Sequence, residues 1–384
     1  MTRTKKGQQK KVRVCHISIV HHPYDTRIFY RECCSLLKAG YEVHLVVMGE
    51  QSSLKNGVHI HACPRAPNRF VRMFFIPWVA LWLALKTKAV IYHYHDPELM
   101  FIGFALRWIF GKKVVFDIHE SVPKEIPVKE WIPKLLRKPI VLSYKFIERI
   151  FTHGQTLILA NRGSVPDYPS SAYLVRNYPL INEDYVPKVD AARKNLEVPL
   201  LIYVGSLGWT RGAMIYVELA AKLAERGRSF RMTLVGQCTE ELSEKLRSRI
   251  KELNLADKVR LTGFMDYGEA MELVAQAAIG MCLFLPLPHI IVALSTKILE
   301  YMREGVAVLA SDIEGYRYYV EREGAGRNVD PCDVERVADV CEEMLADRDE
   351  LTAMGRRGMV AVRNKYNWSS ESKVLLQCYR DLQS

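Results

Sequence analysis

The chain has 384 residues, enough for two domains that each bury a core. Hydrophobic residues make up 49% and charged residues 25%, which excludes wholesale disorder. The net charge of +11 is lopsided: up to Arg149 there are 25 basic and 11 acidic residues, and from Ile150 onward 29 and 32. A basic first half and a nearly neutral second half point to different partners.

Residues 1–13 form a basic tail with six cations and no acid, and the absence of a long apolar run after it argues against a secretory signal. Short Val- and Ile-rich runs then predict strands at 12–19, 42–47, 90–93, 113–116, 156–159 and 173–175, with helices at 28–38, 71–86, 98–110 and 134–150. The segment 177–199 is polar and carries Pro179, Pro187 and Pro199, which places a linker over 181–199. The alternation restarts with strands at 200–204, 231–235, 258–261, 279–283 and 306–310 and helices at 213–226, 240–253, 268–277, 296–303 and 334–346. Strands alternating with helices of this length predict an α/β fold of two doubly wound parallel sheets, over 14–180 and 200–365, facing a cleft at their strand C-terminal ends. Nine cysteines without CxxC spacing, Cys33 beside Cys34, read as reduced thiols and point to the cytoplasm. The longest apolar stretch, 74–85, contains Pro77 and is too short to span a bilayer, so the chain is read as soluble or peripheral.

Two segments carry the chemistry. In LIYVGSLGWTRG (201–212) a strand ends at Gly205 and a glycine-containing turn leads through Arg211 into a helix. Glycines let backbone amides approach an anion, and Arg211 can fork onto phosphate oxygens; a plain βα turn fits the same residues. Walker spacing and GxGxxG are both absent, which disfavours a P-loop enzyme and a nicotinamide dehydrogenase. In LSTKILEYMREGVAVLASD (294–312) Ser295 or Thr296 caps a helix whose first turn holds Lys297, a cation at the positive end of the dipole. An anion there would relieve the conflict; a surface pair with Glu300, at i+3, is the plainer alternative.

Both segments resemble the family-four glycosyltransferases of the GT-B fold. TKILEYMREGVAVLASD is similar to their nucleotide-sugar-binding stretch, and Glu300 matches the second Glu of its E-x7-E pattern, which binds the donor ribose. Val292 stands where the first Glu belongs, a departure shared with a branch that reads LPTKIFEYMA. VGSLGWTRG resembles the diphosphate-binding turn, with Arg211 in place of its usual Lys and Ser206 in place of its usual Arg; Lys297 becomes a second cation on the diphosphate. The resemblance implies donor-binding roles for Gly205, Ser206, Gly236, Gly263 and Glu300, and catalytic roles for Arg211, Lys297 and His119. HHPYDTRIF, YHYHDPELM and DIHE resemble a branch of the family, and the closing YNWSSESKVLLQCYRDL resembles its last helix, which returns over 366–384 to the N-terminal domain. His119 matches the histidine that faces the donor sugar, while His22, Asp25, Arg27, His95 and Asp96 stand on the acceptor side.

The resemblance implies a retaining, metal-independent transfer from a nucleotide diphosphate-sugar to a hydroxyl of a saccharide or lipid-linked acceptor, with no cofactor, as in cell-surface polysaccharide or glycolipid synthesis. A nucleotide-sugar 2-epimerase and a non-catalytic nucleotide-sugar-binding subunit are the alternatives. His93, His95, Asp96, His119 and Glu120 could imitate a metal cluster, but strand alternation is expected to separate them and no HExxH exists. Asp347 and Asp349 form a DxD sequence assigned to a solvated turn. The aromatic, basic segment 65–88 fits either an anionic membrane surface, on the inner face of the cell membrane, or a core helix. Nucleic acid has only the charge in its favour and no reader motif, so it is not expected as a partner.

Overall fold

The computed structural model describes residues 11–119, 121–128, 132–181, 198–291 and 293–384. Glu120, Val292 and most of the linker therefore lie outside the described residues. The chain divides into two units, Met1–Asn177 with Ser369–Ser384, and Tyr178–Trp368.

The first unit is built on eight strands: β1 Arg13–Ser18, β2 Glu42–Met48, β3 Ser53–Lys55, β4 Val58–Cys63, β5 Ile91–Tyr94, β6 Lys113–Ile118, β7 Thr156–Leu159 and β8 Tyr173–Leu174. Their order is β3-β4-β2-β1-β5-β6-β7-β8, and only β3 runs antiparallel to its neighbour. β1 and β6 are buried along nearly their whole length, as strands covered on both faces must be. β3 and β4 were not expected. β4 reads VHIHAC, and its interleaved histidines hide a strand whose Val58 and Ile60 are buried.

Two helices differ from expectation. The first begins at Thr26 and is wound as a π-helix over Thr26–Cys33 before one α turn, Cys34–Lys38. Asp25 starts it, accepting from the backbone N–H groups of Arg27 and Ile28 at 2.8 and 2.9 Å. The expected helix over 71–86 is broken at Phe75 into Arg69–Phe74 and Ile76–Lys86. Pro77 has no N–H for the carbonyl four residues back, so it opens a new helix instead of continuing the old one.

The second unit has six strands, β9 Leu200–Val204, β10 Arg231–Val235, β11 Val259–Gly263, β12 Ile279–Cys282, β13 Ala307–Ser311 and β14 Gly326–Val329. All are parallel, in the order β11-β10-β9-β12-β13-β14. β14, too polar to announce itself, extends the edge. Helices Ala213–Glu225, Glu240–Glu252, Tyr267–Gln276, Thr296–Arg303 and Val334–Ala346 lie where the periodicity placed them. The DxD sequence is a helix start and not a solvated turn: Asp347 caps Arg348–Asn364 by accepting from Glu350 N at 2.9 Å.

Each sheet reverses its strand order once, at β1/β5 and at β9/β12, and parallel sheets bind ligands outside the strand C-termini at that reversal. The closing helix, Trp368–Asp381, joins the first unit from Ser369 onward. Its buried Glu371 accepts from Arg176 N at 2.6 Å and from the Arg176 guanidinium at 2.7 and 3.1 Å. All nine cysteines are free, and no helix of the described residues is long and apolar enough to cross a membrane.

Candidate active site

In the second unit the chain leaves β9 through Gly205 and passes Ser206, Leu207 and Gly208 into a 3-10 turn, Trp209–Arg211. Tyr203 Oη donates to the Ser206 carbonyl at 2.8 Å and Arg211 Nη1 donates to it at 3.2 Å, so the turn is tied from both sides. Gly205 has φ +136°, and a Cβ there would sit 2.1 Å from Lys297 Cε. Only a glycine lets the lysine chain lie across the turn. Gly236, with φ +142° after β10, makes the next close approach: its Cβ would fall 1.9 Å from the Gly205 carbonyl. Gly236 N donates to Gly263 O at 2.9 Å, which brings the ends of β10 and β11 together.

Lys297 stands in the first turn of Thr296–Arg303 as expected, but neither proposed hydroxyl bond caps that helix. Ser295 Oγ instead accepts from the Cys282 thiol at 3.3 Å. Burial lowers the Lys297 pKa, and the neighbouring Arg211 cation lowers it further against the opposing influence of Cys282. Among the described residues no carboxylate comes within ion-pair distance of Lys297, although the Glu300 charge on the same helix still favours its protonated form. Glu300 accepts from Tyr267 Oη at 3.4 Å. Gly205, Ser206, Arg211 and Lys297 thus gather at the end of β9, with Glu300 one helical turn further on.

In the first unit the centre is Asp117, near the end of β6. Arg27 grips it with two bonds of 2.8 Å, and the same carboxylate contacts His119 Nε2 at 2.8 Å and His95 Nδ1 at 3.2 Å. Burial disfavours its charge, yet Arg27 and His119 hold it well below the usual carboxylate range. Glu32, brought inward by the π-helix, goes the other way: burial and the Asp117 charge push it well above its usual value. Asp117 is therefore the ionised member of the pair. Arg27 is buried under this network and Asp25 is spent on the helix start, so neither stands open in a loop.

His95 and Asp96 are buried as well. Asp96 Oδ2 accepts from Ile19 N at 2.5 Å and Ser18 Oγ at 3.0 Å, and its other oxygen lies 3.1 Å from His21 Nδ1. His22 remains exposed, its Nδ1 accepting from Tyr24 N at 3.2 Å. Alternation does not separate His93 from His95, since residues two apart share a strand face; their rings stack with centroids 4.6 Å apart. His16 joins them, 3.0 Å from His95, and Tyr379 Oη reaches both His16 and His93. Burial lowers all three histidines, His95 to about 4, so these rings are neutral. Ligand atoms of His16, Glu32, His93 and His95 lie close enough to hold a cation, as do those of His95, Asp117 and His119, although Arg27 already occupies both oxygens of Asp117.

Sequence reasoning passed over Asp117, Glu32 and Tyr203. Asp117 had a signal, two residues before His119 on one strand face; Glu32 and Tyr203 had none, because their partners are set by the fold.

The comparisons with known proteins divide along the same line as the units. The family profile described as Glycosyltransferase Family 4 matches residues 26–168, and that described as Glycosyl transferases group 1 matches residues 188–359. An alpha-D-kanosaminyltransferase of Streptomyces kanamyceticus is 27% identical over 186 residues, 48% of this chain and 46% of that protein. The chain thus spans less than half the length of that curated relative. Sucrose-phosphate synthase from Thermosynechococcus elongatus superposes with a TM-score of 0.78 at 18% identity, over 97% of this chain and 99% of that one. Anabaena HepE in complex with UDP and glucose gives 0.72 at 11% identity, over 96% and 100%. Those identities speak for the fold, which is GT-B. With one profile claiming each unit, the chain belongs to the family-four, group 1 glycosyltransferases.

Proposed function

We propose that this chain transfers a sugar from a nucleotide diphosphate-sugar to a hydroxyl of a saccharide or lipid-linked acceptor, with retention of configuration and without a metal ion, in cell-surface polysaccharide or glycolipid synthesis. The carrying observation is Lys297, a half-buried cation laid over Gly205, its charge disfavoured by desolvation and by the neighbouring Arg211. Two neighbouring like charges, one of them partly desolvated, gain when an anion joins them, and a diphosphate supplies one.

The barrier in such a transfer is departure of the nucleoside diphosphate. Arg211, Lys297 and the backbone amides of the turn after Gly205 stabilise the charge that grows on the β-phosphate, worth about 3 kcal/mol for a single well-placed donor. Glu300 takes the ribose hydroxyls. His119, steadied by Asp117 and through it by Arg27, acts on the sugar, and His22 is the accessible member of the acceptor-side group. The acceptor hydroxyl attacks from the face the leaving group vacates, and its proton goes to the departing phosphate oxygen.

Lys297→Ala and Arg211→Ala are each expected to lower turnover at least tenfold, measured as sugar transfer with a panel of UDP-, GDP- and ADP-sugars. Undiminished turnover in both would discard the phosphate assignment. Release of an epimerised free sugar from donor alone would instead support the 2-epimerase.

A further inference from the structure

We propose that the helix Lys134–Phe151 docks this protein on an anionic lipid surface, lying in the headgroup layer with its outer face down. The inference stands on the helix itself and does not depend on the catalytic reading. Over eighteen residues it buries only one narrow side against the first unit, through Glu148, with Tyr144 and Phe151 partly buried against the core. The outer side is apolar: Leu135, Leu136, Leu142, Phe146, Ile147 and Ile150 are all exposed, Leu135 at 91%. At 3.6 residues per turn these six fall within an arc of about 140°. A water-facing helix would put charges there.

The charge pattern selects the occupant. Lys134, Lys138, Lys145 and Arg149, all exposed, line one flank of the apolar arc. The only acid on the helix, Glu148, is turned inward and accepts from Tyr168 Oη at 3.2 Å. An apolar strip edged by cations and stripped of exposed acids fits lipid chains beneath phosphate headgroups. Phe104 of the helix Met100–Trp108 contacts Phe151 edge-on at 5.6 Å, and exposed Trp108, Ile109 and Phe110 follow on that neighbouring element. Aromatic residues next to such a strip suit the interface, where one end of the ring is apolar and the other wet.

The test is co-sedimentation of the full chain with phosphatidylglycerol/phosphatidylcholine vesicles and with phosphatidylcholine vesicles alone. Wild type is expected to bind the anionic vesicles at least tenfold more strongly than the neutral ones. Leu142→Asp with Phe146→Asp, both at exposed positions, is expected to reduce that binding at least tenfold. Lys134→Glu with Lys138→Glu is expected to lower the preference for anionic lipid several-fold relative to wild type. The basic stretch 1–13 is identical in every variant, so its contribution cancels. Equal vesicle binding by wild type and the Asp variant overturns the proposal. So does absence of vesicle binding together with a self-association, seen by analytical ultracentrifugation, that the Asp variant abolishes; the face would then belong to a second copy of the chain.

Discussion

Asp96 and His21 show how a single pair fixes the chain after β1. Burial opposes the charge of both, but their mutual contact outweighs it, lowering the Asp96 pKa and raising that of His21. A depressed carboxylate contributes stability above its unfolded pKa, and a raised histidine contributes it below its unfolded pKa; the two overlap between about pH 4 and 6.5. His21→Gln is therefore expected to cost more stability at pH 6 than at pH 8.5, measured by urea unfolding at both values. An equal cost at both would mean that the pair is not ionic. The lysine at 297 obeys the opposite logic, being poised by burial and by Arg211 to welcome negative charge.

At the scale of elements, the closing helix depends on Glu371, which carries three bonds from Arg176. Glu371→Ala removes charge-assisted bonds from a buried carboxylate and is expected to lower stability by about 2–3 kcal/mol, with Glu371→Gln losing less. Denaturant unfolding of the two variants checks this. Elements of this kind differ in how plainly the sequence announces them. Most buried strands of both sheets are short runs dominated by Val, Ile and Leu, and the turn at 201–212 is read locally, so the fold and half of the candidate site were visible from the start. β4 and β14 were not, because histidines and an Arg–Asn pair interrupt them. The π-helix was equally hidden, since it is the burial of Glu32 beside Arg27 and Asp117 that rewards the extra residue per turn. Contacts such as Arg27 with Asp117, ninety residues apart, belong to the sheet order and to no local pattern.

For the molecule as a whole, the two units bury separate cores, and ligand linkage should tell them apart. A nucleoside diphosphate at a hundred times its dissociation constant is expected to stabilise the Tyr178–Trp368 unit by ~2.7 kcal/mol. Calorimetry with and without UDP, GDP or ADP reads this, and Lys297→Ala is expected to abolish the shift. A shift unaltered in that variant would place the nucleotide elsewhere.

The second unit lies in the chain between two parts of the first, and Tyr379 reaches back to His16 and His93 across more than 280 residues. The first unit is consequently completed only by residues that follow the whole of the second. Without the closing helix, His16 and His93 lose the Tyr379 hydroxyl and Arg176 loses its bonds to Glu371. Deleting residues 369–384 is therefore expected to weaken the first unit while sparing the core of the second.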